Sequence, residues 1–164
     1  MKFIGIDPGL HGAIAIYDGE KLVVHDMPIR AVTINKKKRN QLNMGELADL
    51  MREQDPHGLV TIEAVHAMPA QGVTSSFSFG LVFGAIQQAV ACNFYTPALL
   101  VTPQKWKAHY GLDSNKDLAR AMAAAHFPLA AGAFARKKDD GRAESVLLAL
   151  YGKWWANKAT AKCE

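Results

Sequence analysis

The chain reads as an α/β protein, with a mixed sheet of five strands and helices packed on its faces. Three observations predict this. Apolar segments that fold back on one another open the sequence, two further short β-rich runs stand apart from them, and stretches of helical periodicity separate and follow those runs. A meander that feeds βαβ-like crossovers requires antiparallel and parallel neighbours in one sheet.

Residues 2–7 form the first apolar run. Ile14-Ala15-Ile16-Tyr17 follows the turn-prone Pro8-Gly9 and His11-Gly12, and Asp18-Gly19 supplies a two-residue turn into Leu22-Val23-Val24-His25. After a basic, polar stretch at 30–42, Leu47, Leu50 and Met51 recur at helical spacing behind Asn43, a suitable N-cap. Asp55-Pro56-His57-Gly58 ends that helix, and Leu59-Val60-Thr61-Ile62 is a strand that delivers Glu63 at its end. Ser75 and Ser76 are expected to cap a second helix running through Phe79, Val82, Phe83 and Ile86 to about Cys92. Its apolar character predicts that most of it is buried. Leu99-Leu100-Val101 is the last strand, Thr102-Pro103 opens a helix, and two more helices follow near 115–126 and 140–156. With no internal repeat, the 164 residues are expected to form one domain spanning 1–164.

Hydrophobic residues make up 49% and charged residues 21%, a balance that fits neither a disordered chain nor a membrane protein. No apolar run is expected to be long enough to span a bilayer, and Asp7 arrives too early for a secretory signal, so a cytoplasmic location is expected. The two cysteines, Cys92 and Cys163, suit a reducing compartment and argue against a cysteine-based zinc site. A net charge of +4 and a pI near 9.1 allow contact with a polyanion. Basic residues collect at Lys36-Lys37-Lys38-Arg39, around Lys105 and Lys107, at Arg136-Lys137-Lys138, and at Lys153, Lys158 and Lys162.

The acidic residues fall at element ends. Asp7 ends the first strand, Glu63 ends the fourth, and Asp139, Asp140 and Glu144 open the last helix. If strands one and four are parallel neighbours, their ends lie about 5 Å apart and Asp7 meets Glu63. Asp140 and Glu144, four residues apart, project from one helix face, while Asp139 points elsewhere or serves as N-cap. Carboxylates gathered this way repel one another unless a cation intervenes, and hard oxygen ligands call for Mg2+ or Mn2+. Such a site suits two-metal phosphoryl transfer, with ions about 3.5–4 Å apart.

Ile4-Gly5-Ile6-Asp7-Pro8-Gly9-Leu10-His11-Gly12-Ala13-Ile14-Ala15 resembles the first motif of the RuvC-type Holliday junction resolvases. Thr61-Ile62-Glu63 resembles the second and Asp139-Asp140-Gly141-Arg142-Ala143-Glu144-Ser145 the third, and Thr102-Pro103-Gln104-Lys105-Trp106-Lys107 looks like a segment of the phage branch. The resemblance covers nearly the whole chain. It implies a ribonuclease H-like fold and a structure-selective endodeoxyribonuclease that cleaves branched DNA, with Asp7, Glu63, Asp140 and Glu144 as catalytic residues holding two Mg2+ ions, for which Mn2+ substitutes. Bacterial members commonly space their last two ligands three apart and finish on Asp. Here the spacing is four and the last acid is Glu, and Asp139 competes with Asp140 for the third place.

Phosphate contacts are expected from Arg136, Lys137 and Lys138 beside the acids and from Lys105 and Lys107 around Trp106, itself read as a core anchor. Gln71-Gly72-Val73-Thr74-Ser75-Ser76-Phe77 is a candidate backbone contact, with Phe77 expected to be buried. His66 and Arg142 are not assigned catalytic roles, and Arg142 is expected to pair away from Glu144. A four-way junction has two strands to cut, so a homodimer is expected, with Phe79, Val82, Phe83, Ile86, Val90 and the glycines Gly80 and Gly84 of the second helix as its interface. The alternatives are a flap- or fork-nicking nuclease on the same fold and a nucleic-acid-binding module without chemistry. Sugar kinases and actin-like ATPases share the opening strand motif but are far longer and carry further phosphate loops, so no nucleotide cofactor is expected.

Overall fold

The computed structural model describes residues 1–66 and 72–161. Seven strands form: β1 (Phe3–Asp7), β2 (Ala13–Tyr17), β3 (Leu22–Asp26), β4 (Ile29–Ile34), β5 (Lys37–Leu42), β6 (Leu59–Glu63) and β7 (Leu99–Val101). The helices are α1 (Met44–Arg52), α2 (Val73–Asn93), α3 (Pro103–Tyr110), α4 (Lys116–His126) and α5 (Asp140–Thr160), with 3₁₀ turns at Pro128–Phe134 and Lys137–Asp139. The main sheet has the order β3-β2-β1-β6-β7. The meander β1-β2-β3 is antiparallel, and β6 and β7 add in parallel on the other side of β1. This is a ribonuclease H-like mixed five-stranded sheet, and helices cover both faces.

The two faces differ in side-chain size, and that difference positions the site. Ile4, Ile6, Ile14, Ile16, Val60 and Ile62 point to one face, where α1 meets them with Leu47 and Met51 and α2 with Val82, Ile86 and Val90. Each such burial contributes roughly 1.5–3 kcal/mol. The alternating residues on the other face are small: Gly5, Ala13, Ala15 and Thr61. Against them α5 sets Gly141, Ser145, Ala149 and Gly152, a stripe at spacings of four, four and three. A Cβ at Gly5 would overlap the Ser145 carbonyl and the Ala149 backbone, and one at Gly152 would overlap the Thr61 hydroxyl. The α5 backbone therefore lies directly on β1 and β6, which a larger residue at any of these positions would prevent.

Asn43 caps α1 as expected, its side chain accepting from the Glu46 N–H. Four other expectations are corrected. Helix α2 starts at Val73 behind Gly72, with no side-chain cap, so neither Ser75 nor Ser76 is its N-cap. It is also not mostly buried: Val82, Ile86 and Val90 form its single buried stripe, while Val73 and Phe77 are 86% and 68% exposed. One core face is all the sheet can cover, so the remainder of an apolar helix is left outside. At 21 residues and a mean hydropathy of 1.3 it is also long and apolar enough to cross a membrane, against the expectation that no run would be. Finally, residues 30–42 are no irregular stretch but the hairpin β4–β5, closed at Asn35 and Lys36, whose φ values of 50° and 62° make a two-residue turn of the primed type. Its strands are exposed on both faces except at Val32 and Leu42, so no inside–outside alternation marks them. Cys92 is an exposed free thiol, while Cys163, Lys162 and Gln71 lie outside the described residues.

Candidate active site

β1 and β6 pair in parallel with Ile6 opposite Ile62, so Asp7 and Glu63 occupy neighbouring strand ends as expected. The first turn of α5 reaches the same edge. A Cβ at Gly141 would lie 2.9 Å from Asp7 Oδ2 and 2.7 Å from the His11 carbonyl oxygen, so only glycine admits the helix there. Because α5 sits so low, Asp140 and Glu144 are carried to Asp7. Burial first, then Glu144 and Glu63, and to a lesser degree Asp140, hold the Asp7 carboxyl well above the usual carboxylate range. Burial likewise raises Glu63, with Glu144 adding to it.

Each remaining acid has its own partner. Glu63, 7% exposed, accepts a 2.8 Å hydrogen bond from the indole Nε1–H of fully buried Trp106. Glu144 pairs with Lys107 at 3.4 Å, and the Lys107 ammonium also lies 5.2 Å from the centre of the Trp106 ring. Asp140 pairs with Lys116. Burial opposes ionisation of Asp140, but Lys116 outweighs it and the carboxyl lies below its ordinary range. Four carboxylates and two lysines leave an excess of negative charge around a poorly hydrated Asp7.

Asp139 is turned out of this group. Its buried carboxylate accepts from the Arg136 backbone N–H at 2.9 Å and from the Arg136 guanidinium at 2.8 Å, closing the turn before α5. The Arg136 hydrogen bond is the main reason that its carboxyl drops to about 2. Arg142 forms a two-pronged pair with Asp26 at 2.5 and 2.6 Å, away from Glu144 as expected.

The residues expected to contact phosphate divide. Lys105, Lys137 and Lys138 are exposed and in no ion pair among the described residues. Lys107 instead points inward to Glu144, and Arg136 is engaged by Asp139. Phe77, expected to be buried, is exposed, and so are His11 and His66. Trp106 is a core residue as expected, but its bond to Glu63 was not foreseen. Lys116 was missed altogether, since nothing near Asn115-Lys116-Asp117 marks it and only the packing of α4 on α5 brings it to Asp140. The small residues of α5 carried a readable signal in their helical spacing.

Mg2+ or Mn2+ suits the chemistry of this donor set, four carboxylates of which burial raises Asp7 and Glu63. Among the described residues no three of these side chains converge closely enough to grip an ion as they stand. Glu63, Glu144 and Asp140 each have a partner of their own, in Trp106, Lys107 and Lys116. The chain matches no protein-family model and no curated protein.

Proposed function

We propose that this protein is a metal-dependent endodeoxyribonuclease that cleaves branched DNA, in keeping with its resemblance to the RuvC-type Holliday junction resolvases. The observation that carries the reading is that Asp7 and Glu63 end neighbouring parallel strands while the first turn of α5, which bears Asp140 and Glu144, packs at Gly141 directly against Asp7. These four would hold the divalent cations, and Asp140 takes the third place because Asp139 is spent on Arg136. The chemistry such ions supply when bound is neutralisation of phosphate charge and activation of the attacking water.

The chain's own groups prepare the site. Trp106 orients Glu63, a role of the kind that outer partners of metal ligands commonly play. Lys116 and Lys107 pair with Asp140 and Glu144, and were divalent cations to take over those carboxylates, the two ammonium groups would be free to meet an incoming phosphate. Lys137 and Lys138, just before α5, supply sequence-independent contacts to the backbone.

Cutting both strands of a junction calls for two sites, hence two copies. The exposed stripe of α2 supports an isologous dimer, although it is a different stripe from the one expected. Val82, Ile86 and Val90 belong to the protomer's own core, and Phe79 and Phe83 stack on each other half-buried. The outward residues are Val73, Phe77, Gly80 and Gly84, and a Cβ at either glycine would meet nothing. The direct test is Glu63→Gln, which should abolish Mg2+-dependent cutting of a labelled four-way junction while binding persists. Retention of more than about one hundredth of wild-type cutting would remove Glu63 from the ligand set.

A further inference from the structure

Apart from Leu42, whose side chain joins the core, the hairpin β4–β5 has no part in the core or the site, yet it concentrates charge. Between Ile29 and Leu42 lie Arg30, Lys36, Lys37, Lys38 and Arg39, with no acidic residue. All five are exposed, and among the described residues none is in an ion pair. A ribbon that keeps so many cations close together without counter-charges is destabilised by their repulsion, which contact with a polyanion relieves.

The register gives the charge a direction. Arg30 pairs with Gln41, Val32 with Arg39 and Ile34 with Lys37, so these six share one face of the ribbon. Four of them, Arg30, Ile34, Arg39 and Gln41, line a groove of about 840 Å³. The N-terminal half of α2, which is uncharged, also lines it through Thr74, Ser78, Leu81 and Val82. No acidic residue lines the groove among those described. Leu10 and His11 also line it, and the His11 carbonyl abuts Gly141 beside the Asp7 carboxylate. A chain lying in the groove is thus led to the acidic edge. Lys37 and Arg39, two residues apart on one strand, present cations at about 7 Å intervals. That suits a continuous line of phosphates, one per about 3.4 Å of axis on each DNA strand.

We infer that the β4–β5 hairpin and its groove hold the sugar-phosphate backbone of one duplex arm of DNA and lead it to the carboxylate edge. The inference rests on the nuclease reading for the identity of the polyanion. Arg30, Lys37 and Arg39 make the phosphate contacts, and the groove reads no bases.

The test is equilibrium binding of a labelled four-way DNA junction, in chelator and over a series of salt concentrations, by wild type and by Arg30→Gln/Lys37→Gln/Arg39→Gln. A control of equal net charge, Lys2→Gln/Lys21→Gln/Arg52→Gln, alters cations at the opposite end of the sheet. The hairpin variant should lose about 2–3 from the log–log salt slope, near 0.9 per contact, and roughly a hundredfold in affinity at 0.1 M salt. The control should change affinity by less than about threefold. If the hairpin variant keeps the wild-type slope, or the control loses as much, the inference is overturned. Duplex RNA bound as tightly as the DNA, with the same dependence on the hairpin, would overturn the assignment to DNA. If circular dichroism shows the triple variant misfolded, Lys37→Gln alone, at an exposed position, must still lower the slope by close to one. Because binding is read without metal, wild type that binds steeply but cuts nothing in Mg2+ or Mn2+ would sink the nuclease reading and leave the hairpin result intact.

Discussion

Trp106 donates its indole N–H to Glu63 Oε1 at 2.8 Å from a fully buried position, so the orientation of a candidate metal ligand is held by the core. Trp106→Phe keeps an aromatic ring in place and removes the donor. It should lower cleavage about 10–100-fold and weaken Mg2+ binding by a similar factor, the scale typical of outer partners of metal ligands. Titrating activity against Mg2+ concentration checks this. An unchanged metal requirement would make Trp106 a packing residue only.

Asp139 and Asp140 are neighbours in sequence with opposite duties, and paired substitutions separate them. Asp139→Asn breaks the turn that Arg136 closes and should cost about 1–3 kcal/mol of stability while leaving most of the cutting activity. Asp140→Asn should leave the melting temperature nearly unchanged and abolish cutting. Loss of cutting at Asp139 with retention at Asp140 would show that α5 presents a different register to the site.

The raised carboxyl of Asp7 makes stability pH-dependent in a definite direction. A carboxyl whose folded pKa exceeds its unfolded one contributes stability in full at low pH, below the ordinary Asp range, and loses it as pH rises through the raised value. Metal-free wild type should therefore weaken as pH climbs across that window, and Asp7→Asn should weaken less, with only the raised Glu63 left to contribute. At neutral pH Asp7→Asn should melt higher than wild type. Metal binding, which needs the ionised form, should tighten over the same rise in pH. Thermal melts in chelator at several pH values decide the matter, and a lower melting point for the variant at neutral pH would contradict the burial argument.

The exposed stripe of α2 predicts association. Wild type should scatter light as a dimer at micromolar concentration, and Phe77→Asp, at a position 68% exposed in the protomer, should yield a folded monomer that nicks one strand but does not cut in pairs. Wild type that is monomeric both free and on a junction would favour a nicking or flap-cleaving enzyme.

The strand ends of this site were legible in the sequence, because Asp7 and Glu63 each follow an apolar run that must be buried, and burial fixes where a run stops. The role of α5 was only half legible. Its acids could be placed on one face, but their approach to Asp7 depends on Gly5, Gly141 and Gly152, whose meaning appears only once helix and sheet are set together. Lys116 and the Trp106–Glu63 bond link residues 24 and 43 positions apart, and no local pattern announces such pairs. Helix α2 was misjudged because apolar composition measures what could be buried, whereas a protomer with one sheet face to offer buries a single stripe. The β4–β5 hairpin escaped for the converse reason: both faces meet solvent, so periodicity is absent, and only its turn holds it in register.

The central claim is most directly tested by offering wild type a panel of labelled substrates, linear duplex, flap, fork and four-way junction, in Mg2+ and in chelator. The account predicts paired cuts in the four-way junction that depend on Mg2+, at least about tenfold slower cutting of linear duplex, and no cutting in chelator. Cleavage that persists without divalent metal, or no cleavage of any branched substrate in Mg2+ or Mn2+, would contradict it.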